Sequence, residues 1–201
     1  MLFNFEKEFI LENDSVLLRP LKYTDFDALV PFAFHEPEIW KYSIDAVANE
    51  ENFKKYFEKA LLGYEQKKEY PFIVFDKIKN VYAGSTRFYN IQLNNASVML
   101  GYTWYGKEFQ GTKLNKNCKY LLLEFIFEYI GLNRVGFEAN NKNARNIAAM
   151  KSIGCSVEGI LREAVINHDG SKRDTILLSI LKKDWVNGIK SNLHSKIYNK
   201  I

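Results

Sequence analysis

One stretch limits the folds open to this chain more than any other: KEFQGTKLNKNCKYLLLEFIFEYIG, from Lys107 to Gly131. A polar turn empties into a helix whose Leu114, Cys118, Leu121 and Phe125 fall on one stripe, widened by Leu122, Ile126 and Tyr129. So broad an apolar surface predicts a helix packed deep against a sheet. Three β-rich runs precede it: YPFIVFDK, VYAGSTRFYNI and SVMLGYTWYG. Their connections, IKN and QLNNA, are too short for a crossover helix, so the three are expected to form an antiparallel meander.

The rest of the chain supplies the flanking elements. SVLLRPL reads as a strand ended by Pro20, and TDFDALVPFAFHEPEIW as a helix with Thr24 as its N-cap. In NEENFKKYFEKALLGYEQKK, Phe53, Phe57, Ala60, Leu61 and Tyr64 recur at helical spacing. Gly131 is a helix C-cap, NRVGFEAN a strand, and NARNIAAMKSIG a short helix ending at Gly154. The Asp169-Gly170 turn between two β-rich runs signals a hairpin. Beyond Trp185 a final helix frays into polar residues. The expected order is β-α-α-β-β-β-α-β-α-β-β-α, one mixed α/β layer structure spanning residues 1–190, with a polar C-terminal tail over 191–201.

Composition sets outer bounds. At 201 residues with 47% hydrophobic content, the chain can bury one sizeable core and is short for two. Its net charge of +4, from 28 basic and 24 acidic residues, is too mild and mixed for a nucleic-acid protein, yet suits an anionic small ligand. No run approaches the ~18 apolar residues of a membrane span. The first residues carry acids early, without the apolar stretch of a signal peptide. Cys118 and Cys155 make no metal-ligand or disulfide framework and read as small buried hydrophobes. The expectation is a cytoplasmic, soluble protein with no metal, nucleic-acid or membrane partner.

Two stretches can carry chemistry. A helix N-terminus offers unpaired N–H donors and about half a positive charge, which a diphosphate satisfies together. Gln110, Gly111, Thr112, Lys113, Leu114 and Asn115 occupy that place, and no acid accompanies them. Thr112 adds a hydroxyl, Lys113 a cation, and Gly111 permits close backbone approach. The plainer reading is ordinary loop chemistry at a helix start. The second stretch, EANNKNARN, crowds Asn140, Asn141, Asn143 and Asn146 into a strand-to-helix connection. Asparagines there cap helices. They also stand at the carboxyl end of a strand, where open α/β sheets bind ligands, and the two readings are compatible.

Taken in order, LLRPLKYTDFDAL, AGSTRF, GYTW, GTKLN, NRVGFEANNKNARNIAAMKSIG, VEGILRE and KRDTILLSILKKDW resemble the GNAT (Gcn5-related) N-acetyltransferases. Within that superfamily they are most similar to the RimJ/RimL-type branch. The resemblance implies a GNAT-type fold, with a central mixed, mostly antiparallel sheet of six to seven strands flanked by helices. It also implies acetyl transfer from acetyl-CoA to a primary amine, either a protein N-terminus or a small molecule. Carried over, Tyr102, Thr103 and Trp104 would bond the pantetheine arm through their backbone. Gln110 to Asn115 would wrap the pyrophosphate, with Asn140, Asn143 and Asn146 facing the arm. Trp40 and Tyr42 would belong to the flap that walls the acceptor.

Several positions depart from the family pattern. Lys113 and Asn115 stand where glycine, or glycine and alanine, are usual in the phosphate motif. Met150 replaces a frequent tyrosine acid, Met99 a frequent glutamate base, and Asn146 the serine of RimL-like members. Glu158, within the family-like EGILRE, and Asn146 are the leading catalytic candidates, with Glu138 and His168 behind them. Loss of the usual polar groups leaves a second reading open, a catalytically silent CoA-binding sensor or interaction protein. A homodimer through a late strand or the C-terminal helix is among the expected arrangements.

Overall fold

The computed structural model describes residues 3–45, 47, 49–167 and 169–198. Its strands are β1 (Leu11–Glu12), β2 (Val16–Pro20), β3 (Tyr70–Asp76), β4 (Val81–Gln92), β5 (Ser97–Tyr105), β6 (Arg134–Asn140), β7 (Ser156–Ile166) and β8 (Lys172–Leu181). They form one eight-stranded sheet in the order β1-β2-β3-β4-β5-β6-β8-β7. All pairs are antiparallel except β5 with β6. The count exceeds the expected six to seven because two-residue β1 adds an edge, a length at which alternation leaves no trace in sequence.

The helices follow their start and stop signals with two corrections. The first predicted helix is broken into α1 (Phe26–Leu29) and α2 (Pro31–His35), between tight turns at Tyr23–Asp25 and Pro37–Trp40. Pro31 and Pro37 each lack the N–H that a continuous helix needs. Asp25, not Thr24, closes its start: the Asp25 carboxylate accepts from the Lys22 amide at 2.8 Å while pairing with Arg19. Helix α3 (Glu50–Glu65) opens on Asn49, whose side chain accepts from the Asn52 amide. Helix α4 (Leu114–Glu124) runs on through a wider turn, Phe125–Ile130, and stops at Gly131 with φ 88°.

Helix α5 (Ala144–Ser152) follows β6, and after β8 come the one-turn α6 (Lys182–Asp184) and α7 (Lys190–Tyr198). Here the expected boundary at residue 190 gives way. Leu193 and Ile197 of α7 are buried in the main core, and the Ile197 carbonyl accepts from Lys113 Nζ at 3.0 Å. Polar residues surround the single i, i+4 apolar pair of this helix, so its buried face leaves little mark in the sequence.

The sheet separates two apolar clusters. Tyr70, Phe72, Val74, Phe88 and Leu100 pack with Leu122 and Ile126 of α4, whereas Ile73 packs with Leu29, Trp40, Phe53, Phe57 and Leu61. β3 is thus covered on both faces, which explains its unbroken apolar run.

A fault in β5 positions the site. Gly101 pairs with Arg87 and Trp104 with Ser85, so Tyr102 and Thr103 together oppose Thr86. The extra residue is accommodated with Tyr102 at φ 49°. It also inverts the alternation. Val98 and Leu100 face α4, but Trp104 falls in the opposite cluster and Tyr105 takes the α4 side. A bulged strand bends. Accordingly β5 pairs with β6 only through Ser97–Met99 against Arg134–Gly136. A β-carbon on Gly136 would collide with Met99 Sδ, so glycine lets the strands meet at this apex before they part.

Candidate active site

The parted strands wall a cleft. Tyr102, Thr103, Trp104, Asn115, Asn140, Asn143 and Asn146 line it, with Trp40 and Tyr42 on the flap beyond. Sequence-predicted positions from five separate elements therefore meet in one place. Beyond Met99, the backbone of β5 no longer shares a ladder with β6 and is left with donors and acceptors facing the gap.

The turn into α4 is built mainly from its own contacts. Gln110 Nε2 donates to the Tyr105 carbonyl at 2.9 Å, and its Oε1 accepts from Arg145 of α5 at 2.5 Å. Gly111 adopts φ 79°, a left-handed conformation that glycine tolerates, with no atom within 4 Å of where a β-carbon would stand. Thr112 Oγ1 donates to the Phe109 carbonyl at 2.7 Å and accepts from the Leu114 amide at 3.2 Å. Its hydroxyl shapes the turn. Lys113 extends instead to the Ile197 carbonyl, so its ammonium ties the turn to α7 rather than lining the cleft. Leu114 is buried and can offer only main chain. Among the described residues, the amides of Gly111, Thr112, Asn115 and Lys116 have no protein acceptor, and the first turn of α4 holds no acid.

Two of the asparagines make local turn and cap contacts. Asn140 Oδ1 accepts from the Lys142 amide at 2.9 Å, and Asn143 Oδ1 caps α5 by accepting from the Asn146 amide at 3.1 Å. Glu158 is placed elsewhere. Arg134 grips both its oxygens and Ser179 donates to one of them, holding the carboxyl down to about 2. A carboxylate so placed is a poor proton acceptor, and it does not line the cleft. Glu138 does line it and is exposed. His168 lies outside the described residues.

The model of the acetyltransferase (GNAT) domain matches residues 15–156, from the start of β2 to the start of β7. The chain belongs to the GNAT acetyltransferase family. Its similarity to "Putative ribosomal N-acetyltransferase YdaF" of Bacillus subtilis (strain 168) is 30% identity over 102 residues, 51% of this chain and 55% of that protein. The match thus spans about half the length of that curated relative. A GCN5-related N-acetyltransferase from Brucella melitensis superposes with TM-score 0.86 at 22% identity, over 95% of this chain and 86% of its own. A "putative acetyltransferase from T. thermophilus" gives 0.83 at 29% identity over 94% and 97%. Mycobacterium smegmatis RimJ in complex with CoA-disulfide gives 0.75 at 18% identity over 94% and 93%. Among the described residues, no helix is long and apolar enough to cross a membrane.

This GNAT member also brings to its cleft residues that sequence reading passed over. Lys119 of α4 is only 5% exposed, and its Nζ donates to Thr103 Oγ1 at 2.9 Å. Burial pulls its ammonium down to about 8. Arg173 of β8 is buried, donates to the Tyr42 carbonyl at 3.0 Å, and leaves its Nε without a partner. The Tyr56 hydroxyl accepts from Trp104 Nε1 at 3.2 Å, while Tyr89 and Tyr102 are pushed above the ordinary phenol value by burial. Arg87 stacks 3.7 Å from the Tyr102 ring centroid and pairs with Glu69, fixing the bulge from the flap side. One signal for Lys119 was legible: it precedes Leu122 by three residues and Ile126 by seven, which sets it on the apolar stripe.

Proposed function

We propose that the chain is an acetyl-CoA-dependent N-acetyltransferase, moving an acetyl group to a primary amine by direct attack in a ternary complex. The observation that carries this reading is the open backbone of β5 beyond Met99, leading to an acid-free helix start. These are the two features that a long amide-bearing arm ending in a diphosphate needs. That a RimJ of the same fold was solved with CoA-disulfide supports the choice of ligand.

In this reading the main chain of Tyr102, Thr103 and Trp104 holds the arm. The turn from Gln110 to Asn115 holds the pyrophosphate through amides, chiefly those of Gly111, Thr112 and Asn115. Arg145, already on Gln110, adds positive charge at the rim. Acetyl-CoA, when bound, supplies the acyl group as an activated thioester. The protein's contribution is to orient the amine and to aim N–H donors where negative charge develops. Glu138 takes the base role in place of Glu158, removing a proton from the acceptor directly or through a water, a contribution of roughly 10²–10⁴-fold. Asn143 and Asn146 hold polar groups against the reacting end. Trp40 and Tyr42 wall the acceptor, which is a protein N-terminus or a small amine.

The test is thiol release from acetyl-CoA over a panel of amines and peptides, with product identified by mass. Turnover with one acceptor class, abolished by Gly111→Asp, is expected. Tight acetyl-CoA binding without product from any acceptor would favour the second reading, a silent CoA-binding protein. Met150 motivates that alternative: it is buried, and it stands where the family resemblance leads one to expect a tyrosine acid.

A further inference from the structure

We propose that Lys119 is a cofactor-binding residue whose ammonium, steadied by Thr103, donates to a carbonyl oxygen of the amide-bearing arm of acetyl-CoA. This rests on the reading above that acetyl-CoA occupies the cleft.

Lys119 sits where the stripe of α4 calls for an apolar side chain, between the parted strands rather than at the protein surface. An ammonium carries three N–H donors. One goes to Thr103 Oγ1, which shares a 2.7 Å contact with Thr86 Oγ1; no other acceptor for Lys119 exists among the described residues. Phe137 of β6 presents its ring 5.9 Å from Nζ. The thiols of Cys118, beside it on α4, and Cys155, after α5, are each pushed up to about 12 by burial and stay neutral. Glu138 on β6 and Arg173 on β8 line the same cleft, and neither pairs with Lys119. A buried ion without a counter-ion is costly. Its retention here points to an acceptor that arrives with a ligand.

Position selects the acceptor. Lys119 lies five residues into α4 from Leu114, about 7.5 Å along the axis at the usual helical rise. A ligand with its phosphates on the helix start would reach Lys119 with the segment that follows them. In acetyl-CoA that segment is uncharged and carries amide carbonyls. A carbonyl accepts from the ammonium and favours its charged form. Lys119 then binds best when protonated, so affinity should be greatest below about pH 8 and weaken as pH rises through that value.

The experiment is calorimetric titration of acetyl-CoA between about pH 7.5 and 9.5, in two buffers of different ionisation enthalpy. Phosphate second ionisations, near 6, are complete there, so the ligand exchanges no proton of its own. Wild type should take up a fraction of a proton on binding, with the uptake passing through a maximum just above about pH 8 and declining again toward about pH 9.5. Lys119→Met should bind about tenfold more weakly at pH 7.5, the scale of one charge-assisted hydrogen bond, with no uptake and a flat pH profile. Lys119→Gln keeps a neutral donor and should lose less affinity, again with a flat profile; it decides the matter if the methionine variant does not fold. Thr103→Val should weaken binding yet keep the uptake. Unchanged affinity and pH dependence in folded Lys119 variants, or wild-type binding without proton uptake, overturn the assignment. Failure of wild type to bind acetyl-CoA at any pH would instead remove the functional reading on which it rests.

Discussion

The two halves of the sheet are held together by different means. In the β3–β5 half, apolar clusters cover both faces, and β4 and β5 approach so closely that a β-carbon on Gly84 would collide with the Trp104 carbonyl oxygen. β7, at the other edge, is exposed along most of its length, with Val157, Ile160, Leu161 and Ile166 all open to solvent. There the fastening includes polar contacts from Arg134 on β6 through Glu158 on β7 to Ser179 on β8. Among the described residues, strand pairing between the halves is limited to Ser97–Met99 of β5 on β6, a short parallel ladder. The cleft therefore opens at a seam where pairing ends, with a tightly packed wall on one side.

The largest expected effect tests that contrast with paired glycines. Gly84→Ala forces a backbone clash at φ 153°, and should cost about 3 kcal/mol or more in urea unfolding. Gly159→Ala in β7 has no atom within 4 Å of the new carbon and should stay within about 0.5 kcal/mol. Equal losses at both sites would abolish the distinction between the halves.

Gly111→Asp comes next and probes the turn into α4. The turn has room for the side chain, and aspartate tolerates left-handed backbone better than most residues. The fold should survive, while acetyl-CoA affinity falls about 100-fold or more from like-charge opposition. Undiminished binding would place the cofactor elsewhere. On the β6 wall, Glu138→Gln should lower kcat about 10²-fold with acetyl-CoA affinity kept. Glu158→Gln should leave kcat unchanged, and the reverse result would restore Glu158 as base.

The smallest effect concerns acid. In the folded protein Glu158 is held at about 2 against an ordinary 4.5. A depressed carboxylate contributes stability above its unfolded value and loses that contribution as pH falls through the folded one. Glu158 and Arg134 are each more than a third exposed, so screening keeps the pair's contribution below about 1 kcal/mol. Glu158→Gln should thus unfold slightly more easily than wild type at pH 6 and equally well near pH 2, as measured by denaturant midpoints.

Much of the architecture was legible because local rules set it. Short connections made the β3–β5 meander antiparallel, Gly131 ended its helix, and Asp169-Gly170 turned the β7–β8 hairpin. The segment from Thr24 misled because two prolines cut a periodic run, and α7 because two buried residues were lost among polar neighbours. At the site, the main-chain features were the readable part. Side-chain destinations were not: Lys113 reached α7, Glu158 paired with Arg134, and Lys119 turned inward.

Sequence alone settled the order of the main strands and of the helices between them, the acid-free start of α4 and the crowding of asparagines after β6, since each follows from spacing or residue type within a few positions. Tertiary structure decided where β5 bulges, that it leaves β6 after Met99, and which charged side chains enter the resulting cleft. Those outcomes depend on residues tens of positions apart competing for the same space. A lysine's neighbours along the chain say little about whether its ammonium meets water, a distant carbonyl or a buried hydroxyl.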